Sequence, residues 1–298
     1  MSHFVWDALY SADVSWLYKG KTIRISSRAE LNKQLSHISE DVYFKTPVYR
    51  NELINKHSIS GAIHGARKNF FAALVKANEQ ENLGIEKESF PPEKTIYITL
   101  LRETKLHIRS KTEWDFVESP TNSPFDDLWT ASEEFLESCK AERRPVSDFF
   151  DQLSQRPFKM KQGFLEFWIP TFLFIKRDDF ALFGDQGYIP ELNDTILYLL
   201  NRNTKEFTIK TFDVRGVKLN LYNRYREFLQ LDKSKKVSNH SFIESIRPFL
   251  VLYKQLPEYS RKTSRLSPET LAIRKAIENS QDPERVFFED FSRALEAA

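Results

Sequence analysis

The sequence holds one cysteine, Cys139, which excludes an internal disulfide and a cysteine-only metal site. Glycine is scarce too, with 8 in 298 residues, which argues against phosphate-cradling loops and long flexible linkers. A membrane helix needs about 18 or more consecutive apolar residues. The longest apolar stretch here, Phe164 to Ile175, is shorter and contains Glu166 and Pro170. The first residues, MSHFVWDALYSADVSW, lack a basic stretch ahead of an apolar core, so a secretory signal is not expected. A reducing cytoplasm is the expected compartment. Catalytic signatures are missing as well: no G-x-S-x-G, no H-E-x-x-H and no dinucleotide fingerprint occurs. No catalytic residue, cofactor or metal is expected, and the chain reads as a binding protein.

Net charge is small at +2, but its distribution is uneven. Residues 45–76 carry six Lys/Arg against the single Glu52, and residues 233–275 carry ten against three Glu. Between them, residues 126–151 carry eight Asp/Glu against three Lys/Arg. Two basic zones around an acidic one suit a nucleic-acid footprint. They equally suit self-complementary packing, or ordinary solvated faces.

Periodicity gives a mainly α fold with short β-hairpins. Ser15–Tyr18 and Thr22–Ser26 flank Lys19-Gly20-Lys21 as a hairpin. Gly20-Lys21-Thr22 looks like the end of a phosphate-binding loop, but Ser15 stands where that loop needs a glycine, and Trp16, Leu17 and Tyr18 crowd it. Ser27 with Glu30 has capping-box spacing ahead of a helix bearing Leu31, Leu35, Ile38 and Val42. A short helix is expected over Asn51–Lys56, a break at Ser58–Ser60, and a second helix carrying Ile63, Ala66, Phe70, Ala73 and Leu74 on one face. Further helices are expected over 93–104, 125–140, from Pro145, over 162–176, over 191–201 and over 219–231. Others follow over 240–256, from Ser267-Pro268 to about Asn279, and from Asp282 onward. Phe180–Phe183 and Tyr188–Ile189 flank a Gly-Asp-Gln-Gly turn, and Glu206–Asp213 alternates as a strand. Residues 105–124 hold short strands and turns, 232–239 a charged linker, and 257–266 a basic loop.

The order suggests tandem winged-helix-like modules with a C-terminal helical segment: residues 1–124, 125–214 and 215–298. The apolar helix 162–176 is too greasy to lie in a DNA groove and must be buried. The second module is therefore expected to pack or bind partners rather than read bases.

The stretches YFKTPVYRNELINKHSISGAIHGAR, PPEKTIYITLLRETKLH, LPEYSRKTSRLSPETLAIRKAI and DPERVFFEDF resemble a region of large bacterial P-loop ATPases of phage defence, the BREX-type ATPases and relatives. The likeness covers most of residues 25–295. It implies a region lying beyond the nucleotide-binding domain, winged-helix-like as in origin-recognition-type ATPases. It carries no ATP site over, because this chain has no ATPase core. The end at RALEAA, without a stop signal, is expected of a piece of a longer protein.

Candidate nucleic-acid contacts are Arg50, Lys56, His57, Ser58, Ser60, His64, Arg67 and Lys68, around a corner where helix N-terminal amides can meet a phosphate. The bland alternative is a core helix with solvated basic residues. Arg261, Lys262 and Arg265 form a secondary basic surface, which could instead face the acidic 126–151 helix. The expected partners are duplex DNA and defence-system proteins, or the ATPase core of a longer chain, with no membrane. His57 and His64 have no carboxylate or thiol at ligand spacing.

Overall fold

A computed structural model describes residues 14–211 (apart from 111, 112, 118, 186 and 190), 251–278 (apart from 252 and 254) and 293. The helix expected over 219–231, the linker 232–239 and the helix from Asp282 lie outside the described residues. So does most of 240–256, of which Val251, Tyr253 and Gln255 are described as helical.

The described chain is mainly α with small antiparallel sheets. Strands β1 (Trp16–Tyr18) and β2 (Lys21–Ile23) form the first hairpin. Its two turn residues, Lys19 and Gly20, sit at φ 50° and 75°, the conformation that matches strand twist. Helix α1 (Arg28–Val42) starts where Ser27 Oγ accepts the Glu30 amide. Glu30 reaches back to the Ser26 amide and hydroxyl instead of to Ser27.

The short helix expected over 51–56 does not form. Asn51 is buried, its Oδ1 accepts the Leu53 amide, and its Nδ2 donates to Thr99 Oγ1. This local side-chain bond replaces helix with a turn. Helix α2 (Gly61–Lys76) follows. Helix α3 (Pro92–Tyr97) runs into a π-helical turn at Ile98–Arg102, where one helix over 93–104 was expected. At its start the Thr99 hydroxyl lies 3.0 Å from the Thr95 carbonyl and 3.2 Å from that of Ile96, competing with main-chain donors. Strands β3 (His107–Arg109) and β4 (Trp114–Phe116) then pair.

Helices α4 (Asp126–Ser138), α5 (Val146–Ser154) and α6 (Gln162–Ile175) come next, with the two-residue strand β5 (Arg144–Pro145) ahead of α5. Strands β6 (Ala181–Gly184) and β7 (Gly187–Ile189), helix α7 (Asp194–Leu199) and strand β8 (Thr208–Lys210) complete this part. The sheet order is β5-β8-β6-β7, all antiparallel, with Ile209 opposite both Arg144 and Leu182. Helices α8 (Glu258–Lys262) and α9 (Pro268–Glu278) end the description, so the expected 257–266 loop contains a helical turn.

Helix α6 is the centre of the described core. Phe164, Leu165, Phe167, Trp168, Ile169, Phe172 and Leu173 are all fully buried, as an all-round apolar helix requires. Burying a Leu or Phe stabilises by about 1.5–3 kcal/mol. Pro170 lacks an amide, which leaves the Glu166 carbonyl without its i+4 donor. Asn201 Nδ2 supplies that bond at 2.9 Å. Rings from the whole described core meet α6: Phe70 and Phe71 of α2 against Phe167, Tyr49 against Phe164, and Trp129 against Phe172 at 5.0 Å.

One cluster of buried residues runs from Tyr49 to Ile209. The expected boundary at residue 124 therefore coincides with no break in the core.

Candidate nucleic-acid interface

The corner between Asn51 and Gly61 is clamped onto the start of α6. Ile54 and Ile59 are buried beneath it. The Gly163 amide donates to the Lys56 carbonyl at 2.7 Å, and Lys161 Nζ donates to the Asn55 carbonyl at 3.2 Å. Gly163 has to be glycine: a Cβ there would lie 2.6 Å from the Ile54 oxygen and 2.7 Å from both the Lys56 oxygen and Ile59 Cγ2. Tying the main chain inward turns the side chains outward. Lys56, His57, Ser58 and Ser60 are exposed, as are Arg50, His64 and Lys68.

Ser60 is the N-cap of α2 in extended conformation and makes no side-chain cap bond. The first amides of α2 thus lack a side-chain acceptor from the cap. Among the described residues, Arg50, Lys56 and Lys68 make no ion pair. Lys68 Nζ lies 5.1 Å from the centre of the Tyr198 ring.

Arg67 corrects the expectation. It is buried, points into the fold and pairs with Glu166 of α6. Its Nη2 lies 3.2 Å from His64 Nδ1, and its guanidinium 5.3 Å from the Tyr198 ring centre. Burial without a partner charge is prohibitive for a guanidinium, and the acid that makes it possible is 99 positions away in sequence. Arg67 joins α2 to α6 and is withdrawn as a nucleic-acid contact.

Of the secondary surface, Lys262 and Arg265 are exposed and Arg261 is half-buried. Lys262 pairs with Glu258 on its own helix at 2.6 Å.

Residues that hold the fold from inside are not read as such in the sequence, where Asn51 reads as the start of a short helix. Asn51 is the chief one; an Asn two residues before a main-chain donor is the signal for such a turn. Lys94, also buried, holds the preceding loop: its Nζ donates to the carbonyls of Glu86, Lys87 and Ser89 at 2.7, 2.6 and 2.7 Å. Cys139 is buried with its thiol donating to the Phe135 carbonyl, and burial pushes its pKa up to about 11. A thiol held protonated is a poor nucleophile. Among the described residues no group of three or more His, Cys, Asp or Glu could hold a metal ion. Nor is any described helix long and apolar enough to cross a membrane.

Compared with known proteins, the chain matches no family model, no curated protein and no solved structure.

Proposed function

We propose that this chain is a nonenzymatic nucleic-acid-binding and assembly region of a bacterial phage-defence ATPase system, working in the cytoplasm. The observation that carries the binding part is the set of exposed, ion-pair-free cations Arg50 and Lys56 in the segment leading to the uncapped start of α2, with Lys68 midway along that helix. Cations near a helix N-terminus whose amides lack a side-chain cap suit phosphate oxygens. The defence assignment rests on the sequence resemblance alone. The winged-helix-like reading of residues 125–214 draws support from the element order. Helix α4, strand β5, helices α5 and α6 and then strands, with the first strand beside the last, follow the order of such a domain. On this reading β7 and α7 are an insertion ahead of the last strand.

The test is a fluorescence anisotropy titration with duplex DNA across a range of salt. Three phosphate contacts give a slope of log K against log salt of about −3. Lys56→Glu with Lys68→Glu should reduce both affinity and slope. Arg67 stays unaltered in this test because it is structural. Salt-independent affinity, or unchanged affinity in the double variant, refutes the proposal.

A second reading, a scaffold coupling a defence ATPase to partner proteins, is favoured by one feature. A groove of about 580 Å³ lies between the β6–β7 hairpin and α7, with Ile189, Ile196, Leu199 and Phe207 among its apolar lining and Asp185 and Glu191 among its acids. Ile196→Asp should abolish co-purification with a defence-type ATPase co-expressed from the same source, and intact co-purification, or none with the wild type, removes this reading.

A further inference from the structure

We infer that the nucleic acid taken by this surface is single-stranded, with Phe44 and Val48 contacting bases while Arg50 and Lys56 meet phosphates. The inference rests on the nucleic-acid reading above and narrows it to one class of ligand.

The segment leading into the corner alternates in exposure. Phe44, Thr46, Val48 and Arg50 are exposed, Lys45 and Pro47 are half-buried, and Tyr49 is buried. Phe44 sits in the turn that the Thr46 amide closes on the Tyr43 carbonyl, and the chain beyond it, through Arg50, forms neither helix nor strand. Two of the exposed side chains are large and apolar: Phe44 is 68% exposed and Val48 76%. An exposed aromatic ring in the same segment as unpaired cations has the composition of a base-stacking platform, because every base has an apolar face and every linkage a negative charge.

The platform is held rigidly from behind. Tyr49 packs edge-on to Phe164 at 4.9 Å, and its hydroxyl lies 3.0 Å from Thr99 Oγ1. Thr46 Oγ1 donates to the Phe158 carbonyl. A surface already ordered spends less entropy on binding.

The same corner is poorly built for a duplex. Reading a major groove takes a helix that can enter a channel about 12 Å wide. No helix forms over 51–58. Helix α2 is flanked by α3, α6, α7 and the 81–84 turn. Its exposed residues include Gly61, Ala62 and Gly65, which carry no reading group; Asn69 is engaged by Glu93 at 2.9 Å and Lys68 lies over the Tyr198 ring, which leaves His64 as a reading side chain in the first two turns.

The test compares a 20-nucleotide oligo(dT) with a 20-base-pair duplex by fluorescence anisotropy, using the wild type, Phe44→Ala and Phe44→Trp. Thermal melts verify that each variant is folded, as expected for an exposed site. The wild type should favour the single strand about tenfold. Phe44→Ala should remove that preference, weakening single-strand binding about tenfold and leaving duplex binding unchanged, while Phe44→Trp should keep it. Equal affinity for both ligands, or single-strand binding unmoved in Phe44→Ala, overturns this inference. If salt-sensitive binding persists in that case, the broader reading stands. Binding to neither nucleic acid removes both. Light scattering supplies the last arm: an oligomer that Phe44→Ala dissolves assigns the patch to self-association and also overturns the inference.

Discussion

Replacing Arg67 by Met strips Glu166 of its cation while keeping most of the side-chain stem in place. The side chains of Arg67 and Glu166 are 3% and 17% exposed. Removing one partner of a buried pair costs about 3–5 kcal/mol, because the survivor keeps an uncompensated charge out of water. Residual water access at Glu166 puts the expected loss at the lower end, about 3 kcal/mol. Loss of the guanidinium over the Tyr198 ring adds about 0.5–1 kcal/mol. Adding Glu166→Leu removes the stranded carboxylate. A well-packed apolar pair is often neutral relative to the ion pair, so the double variant should return to within about 1 kcal/mol of wild type. Urea unfolding of all four proteins completes a double-mutant cycle. A loss below about 1 kcal/mol for Arg67→Met would refute the burial argument. So would a double variant no better than the single. The stable double variant should also bind nucleic acid as the wild type does; a folded protein with lost affinity would restore Arg67 as a contact.

Three further outcomes are expected. Asn201→Leu strands the Glu166 carbonyl beside Pro170 and should cost about 1–3 kcal/mol in urea unfolding. Pro170→Ala in that background should recover part of the loss by supplying a main-chain donor; if it deepens the loss, the compensation argument is wrong. Gly163→Ala drives a Cβ against two carbonyl oxygens and Ile59, so it should destabilise by about 1–3 kcal/mol and lower the melting temperature by several degrees. An unchanged melting temperature would contradict the close packing. His107 is buried, its Nε2 2.7 Å from the Asn78 carbonyl and its Nδ1 2.9 Å from the Tyr97 hydroxyl. A carbonyl only accepts, so Nε2 carries the proton and Nδ1 accepts from Tyr97. Burial lowers the pKa of His107. The unfolded imidazole titrates near about 6.5 and takes up its proton first, so stability is complete above that pH and falls as pH drops below it. The slope is at most about 1.4 kcal/mol per pH unit. Urea midpoints from pH 7.5 to 5 should fall more steeply for wild type than for His107→Gln, and parallel curves would refute the assignment.

What the sequence disclosed follows the range of the forces involved. Helix α1 was legible because Ser27 and Glu30 act within one turn of it, and the β1–β2 turn because Lys19-Gly20 is its own signal. The burial of α6 was legible because an apolar residue on every face leaves no alternative. The short helix at 51–56 was misread because Asn51 is fixed by Thr99, 48 positions on. Arg67 was misread because basic side chains beside an apolar face look alike whether they meet water or Glu166. Strand β8 was legible from its alternation, but its place between β5 and β6 is set by long-range pairing that no local pattern reports. At the candidate site, the basic side chains were visible in advance, but the clamp through Gly163 and the outward Phe44 depend on how the turn is seated.

The continuity of the core across residue 124 has a practical meaning for anyone dissecting the protein. A cut there would leave Phe70 and Phe71 on one piece and Phe167, the ring they rest on, on the other. Each half would carry a raw apolar face whose only good cover is its sibling. Separated, each half should aggregate through that face, so the stretch from Tyr49 to Ile209 is best kept as one piece.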